Sequence, residues 1–147
     1  MKALLTALLA GLGLAVAGLD PAAAGESVEY LYRLHCFGCH GSEGAGSKIG
    51  RIPPFVGLVG HFAASREGRL YLTRVPGVAN AALSDADTAN LLNYVLRTWG
   101  GRDVPAGAQD FTAGEVNALR NIHLDDVAAL RRKLAARLSK DGISMDY

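Results

Sequence analysis

Cys36, Cys39 and His40 stand in the run HCFGCH, residues 35–40, and are the side chains in this sequence best suited to chemistry. Two thiols separated by two residues, with an imidazole directly after the second, match the pattern that attaches haem covalently. The thiols would add to the haem vinyl groups. The adjacent imidazole would then meet the iron from the same side of the macrocycle. On this reading Cys36 and Cys39 form thioether bonds, His40 takes the proximal axial position, and Phe37 and Gly38 are spacers. A zinc site is the first rival, but it would need further cysteine or histidine partners, and the chain has only 2 cysteines. A redox dithiol is the second, but it sits beside a strand in a thioredoxin-like pattern, which this sequence lacks.

The elements that must position this motif read as helices. Residues 26–35 carry Val28, Leu31 and Leu34 or His35 at helical spacing, with Ser27 as a cap, and run straight into the first cysteine. Residues 41–55 are a glycine-rich loop closed by Pro53 and Pro54, where glycine lets the backbone pack closely against something flat. A helix is expected over 65–75, capped by Ser65 and stopped by Pro76 and Gly77. Residues 78–83 read as a short connection. The clearest helix spans 84–99, with Ser84 as cap, Asp85 and Asp87 in the first turn, and Leu91, Leu92, Val95 and Leu96 as its buried stripe.

Residues 102–110 look like a linker. A capping box, Thr112 to Glu115, opens a helix over 111–124. A last helix over 125–142 carries Val127, Leu130, Leu134 and Leu138 on one face, with Asp125 as cap. Its opposite face holds Arg131, Arg132, Lys133, Arg137 and Lys140. That basic face suits either an acidic redox partner or simple solvent cover that complements the helix dipole. The fold class is all-α: every periodic segment has the helical period.

Residues 1–24 read as an export signal. Lys2 precedes the apolar run 3–19, and Ala22, Ala23 and Ala24 offer a cleavage site, with an earlier one after Ala17 as the alternative. A retained anchor is the rival reading. After cleavage no stretch is long and apolar enough to span a membrane. The mature chain is then expected in the periplasm, an oxidising compartment where Cys36 and Cys39 meet either haem or each other. The 15 Lys and Arg residues nearly balance the 14 Asp and Glu. A net charge of +1 gives no electrostatic case for nucleic acid.

Residues 26–100 resemble a class I c-type cytochrome domain. The resemblance rests on the helix leading into CFGCH, on the prolines of PPF (53–55), and on LSDADTANLLNYVL (83–96) as a last helix crossing the first. It implies that the carbonyl of Pro53 or Pro54 accepts a hydrogen bond from the proximal His40, fixing the ring and raising its basicity. The chain then divides into three segments: signal 1–24, haem domain 25–101, and a linker with a C-terminal helical extension over 102–147; the resemblance does not reach residues 101–147.

The family's usual sixth ligand is a methionine before the last helix. The matching stretch here, VPGVANAALSD (75–85), has none. Met145 falls in the terminal ISMDY and reads as a loose end. His61 is the possible distal ligand, the alternatives being a surface histidine there or an iron with no strong protein ligand. Asn80 occupies the methionine's loop and could hydrogen-bond a distal ligand. His35 reads as a contact at the haem edge and His123 as a helix-junction residue. Arg51, Arg69 and Arg74 are candidates for pairing with haem propionates, the alternative being solvated arginines. The expected function is a periplasmic carrier of single electrons between redox proteins, with one covalent haem c per chain and no catalytic residue. The alternative is a haem sensor or ligand-binding protein with an open distal site, able to bind carbon monoxide, nitric oxide or peroxide.

Overall fold

The computed structural model describes residues 26–145. The signal expected over 1–24 lies outside the described residues. Among the described residues the regular elements are helical: α1 Val28–His35, α2 Phe37–His40, α3 Val59–Phe62, α4 Arg66–Arg74, α5 Pro76–Ala79, α6 Asp85–Trp99, α7 Ala113–Arg120 and α8 Val127–Lys140, with a 3-10 turn at Gly101–Asp103. None of these helices is long and apolar enough to cross a membrane.

Helix starts follow local side-chain chemistry. The hydroxyls of Ser27, Ser65, Ser84 and Thr112 each accept a hydrogen bond from a backbone N–H three residues on, which satisfies a donor the first turn leaves open. The last helix differs from expectation. Asp126, not Asp125, caps α8 by accepting from the Ala129 N–H, while Asp125 pairs with His123. Pro76, expected to stop the preceding helix, also begins the one-turn helix α5, because its fixed φ suits a first helical position, and α5 takes up the start of the connection expected over 78–83.

α6 packs across α1 and also against α3 and α7. One hydrophobic cluster runs from Leu31 and Tyr32 through Leu91, Leu92 and Val95 to Val116, Leu134 and Met145. The extension therefore shares the core of the preceding domain. α8 turns its leucine stripe, Leu130, Leu134 and Leu138, onto α4.

Charged and amide side chains fasten the extension further. Buried Asn93 exchanges two hydrogen bonds with the backbone of Phe111, at 2.9 and 2.7 Å. Arg69 grips Glu115 through two bonds, donates to the Gln109 carbonyl and lies 3.7 Å over the Phe111 ring. Arg74 donates to the Arg120 carbonyl, and Arg120 to Asp85 and Thr88. Arg69 and Arg74, expected as propionate partners, are thus committed to the extension. Met145, expected as a loose end, is only 4% exposed, and its carbonyl accepts from Arg131 at 2.7 Å.

Candidate haem site

A cavity of about 560 Å3 opens between α1, the 51–55 loop, α3, α4, α6 and the 75–78 segment. Cys36, Cys39 and His40 all line it, as do Pro53 and Pro54. α1 ends at Cys36 and α2 begins at once, so the chain turns a corner at the first cysteine. Within α2 the Cys39 and His40 amides both bond the Cys36 carbonyl, at 3.2 and 2.9 Å. Residues three and four apart then share one helical face. Gly41, at φ 73°, ends this turn, and its carbonyl accepts the Tyr32 hydroxyl at 2.6 Å.

His40 is held from two sides. Its Nδ1 lies 3.1 Å from the Pro53 carbonyl, which can only accept, so Nδ1 carries the proton. Its ring stacks on Phe55 at 4.0 Å, and Phe55 leads on to Trp99 and Tyr32. Burial holds the imidazole's pKa below its usual range, against the Pro53 bond, which raises it. The ring is therefore neutral at neutral pH. With Nδ1 engaged, Nε2 keeps its lone pair for a metal.

Gly46 sets the Pro53 carbonyl in place. Its φ is 67°, and a Cβ there would stand 2.3 Å from the Ile52 carbonyl oxygen and 2.5 Å from that of Pro53. Only glycine lets the loop close this tightly. Ser47 and Ile52 then bond each other in both directions, at 3.0 and 2.8 Å.

Burial, and next to it the neighbouring Cys39, push the Cys36 thiol up to about 11. The same desolvation, with Cys36 and Tyr94 nearby, pushes the Tyr32 phenol up to about 12. A protonated thiol is the unreactive form for disulfide exchange.

The rest of the lining is apolar, drawn from Leu58, Val59, Phe62, Leu72, Leu91 and Val95 among others. Two thiols and a histidine lining an apolar cavity of this size fit a flat macrocycle carrying a borderline-soft metal. Polar side chains are few: His35, Arg51, Tyr71 and Arg131 line it besides the motif. Arg51, offered by the sequence, does reach the cavity. Tyr71 and Arg131 were not legible as lining residues, because only packing decides which face of α4 and α8 turns inward.

His61 does not reach the cavity. Val59 and Phe62 of α3 face it, while the His61 Nε2 lies 3.6 Å from Asp103 Oδ1. The reason is packing. A Cβ on the preceding Gly60 would lie 2.7 Å from the 100–104 backbone, so α3 rests on that turn and carries His61 with it. Of the two readings the sequence left open for His61, a distal ligand or a surface histidine, the placement away from the cavity favours the second. Asn80 is exposed and does not line the cavity. His123 is exposed and paired with Asp125.

No protein-family model matches the chain. A cytochrome c-552 of Thermus thermophilus is 34% identical over 157 aligned positions, covering 93% of this chain and 100% of the relative. A second cytochrome c-552 from Thermus thermophilus is 34% identical over 122 positions, covering 69% of this chain and 92% of the relative.

Proposed function

The chain belongs to the c-type cytochromes, and from that premise we propose that it is a periplasmic carrier of single electrons between a protein donor and a protein acceptor. As a c-type cytochrome it carries covalently bound haem c and serves electron transfer. Bound haem supplies the one-electron ferric–ferrous couple.

In this reading Cys36 and Cys39 hold the haem by thioether bonds and His40 is its proximal ligand. The Pro53 carbonyl orients the imidazole and keeps it basic, which favours the ferric state. Phe55 and Trp99 back the ring and limit its tilt. The aliphatic lining keeps water from the macrocycle and so reduces the reorganisation that accompanies a change of charge. Cys39 is exposed, and Leu34, Phe37 and Val56 stand exposed in the nearby segments. That apolar rim gives a partner a place to approach the haem edge.

The observation that carries the proposal is the convergence of both thiols and a neutral, carbonyl-anchored His40 on one apolar cavity. The segment 1–24 supports the location, as a cleavable export signal. Potentiometric titration of the haem-loaded protein tests it. The expected result is one reversible wave with a one-electron slope. A haem that cannot be cycled, or that reduces irreversibly, would overturn it.

A further inference from the structure

We infer that the second axial position over this cavity is left to a small neutral ligand from outside the chain, a diatomic of the carbon monoxide or nitric oxide class, and not to a side chain. The inference rests on the haem reading of the cavity given above.

Imidazole and thioether are neutral side-chain ligands that hold haem iron; a lysine amine would be a third, and no lysine lines the cavity. The sequence holds 4 histidines and 2 methionines, and each can be placed. His40 is the proximal group. His35 lines the cavity but sits one residue before Cys36, tied to the edge where the thioethers form. His61 turns to Asp103, and the contact of Gly60 with the 100–104 backbone stops α3 from rolling it inward. The His123 side chain is 89% exposed and ion-paired with Asp125.

Met1 falls in the signal segment, outside the described residues. Met145 is buried, but it lies in a separate groove between the tail and α8, with Ala135, Ala136, Ser139 and Ile143. Arg131 holds its carbonyl there.

The stretch where the family would place its methionine contributes Val75, Pro76, Gly77 and Val78 to the lining, with no thioether or imidazole among them. Tyr71 is the remaining buried lining residue with a side-chain oxygen. Its ring packs on Phe62 at 5.1 Å, and a phenol binds iron well only as a charged phenolate, which aliphatic walls disfavour.

The same walls select the ligand. A charged ligand would lose its hydration among Leu72, Leu91 and Val95, whereas a neutral diatomic loses little. Arg51 and Arg131 belong to the rim, the first exposed and the second half-buried.

The test uses the full haem-loaded chain and carbon monoxide as probe. A denaturing gel stained for haem is run on the same preparation, and the ferrous absorption spectrum is recorded with and without the gas. The expected result is a high-spin ferrous spectrum whose main band shifts saturably with carbon monoxide. It should be the same in His61→Ala and Met145→Leu. A low-spin spectrum indifferent to carbon monoxide, with haem covalently present on the gel, would overturn the open position alone. Conversion of that spectrum to high spin by Met145→Leu, His61→Ala or Tyr71→Phe would then name the ligand. Absence of covalent haem from the gel would overturn both this inference and the reading beneath it.

Discussion

Around His40 the chain is held by backbone carbonyls and aromatic rings. Tyr32 donates to Gly41, His40 donates to Pro53, and Phe55 lies flat on the imidazole. Around α7 and α8 it is held by leucines and guanidinium groups. Leu130, Leu134 and Leu138 press on the core, and Arg69, Arg74 and Arg120 bridge from the core to the extension. The first region fixes the angle and basicity of one ring. The second buries area and touches the cavity only through Arg131. Damage to the first should therefore change the iron with modest loss of stability, and damage to the second should do the reverse.

Leu134→Ala is the largest expected effect. Leu134 is 1% exposed, and its truncation should cost about 2–5 kcal/mol, through lost transfer energy and the cavity left behind. Chemical denaturation measures it. The absorption spectrum and reduction potential should stay where they were. A moved potential would break the separation between the two regions.

Gly46→Ala comes next. The positive φ alone costs about 1–2 kcal/mol, and the new methyl must displace the Ile52 and Pro53 carbonyls. His40 then loses its acceptor and becomes less basic, which weakens its hold on the ferric state. Potentiometry should show a higher reduction potential than in the parent protein. An unchanged potential would mean that the Pro53 bond does not tune the iron.

Asp85→Asn is the smallest. Hydrogen bonds from Asn117, and next from Arg120, hold the Asp85 carboxyl below its ordinary value of 3.8. A carboxyl depressed on folding contributes stability above its unfolded value and loses it as pH falls through the folded one. The melting temperatures of parent and variant should thus differ at neutral pH and converge below about pH 4. Curves that stay parallel into acid would assign the fastening of α6 to α7 to other groups.

This contrast also explains what the sequence could yield. The motif residues could be singled out because the pattern that attaches haem has a fixed spacing along one short stretch, and the structure brings Cys36, Cys39, His40 and Pro53 to one cavity. Capping serines and the leucine stripes were legible because their signals are local in the chain. The sequence left His61 open between two readings because its orientation depends on Gly60 seating against residues 100–104, a contact between segments distant in sequence. Arg69 and Arg74 could not be assigned for the same reason. Their partners, Glu115 and the Arg120 carbonyl, lie 46 residues away. Met145 gave no signal of burial, because the tail's return along α8 is set by packing alone.

The central claim is that Cys36 and Cys39 hold one haem covalently beside His40. The mass of the matured, denatured chain tests it most directly. The account predicts the processed polypeptide plus one haem, with the haem still attached after acid denaturation and organic extraction. A chain at the bare polypeptide mass, with Cys36 and Cys39 joined in a disulfide, would contradict it.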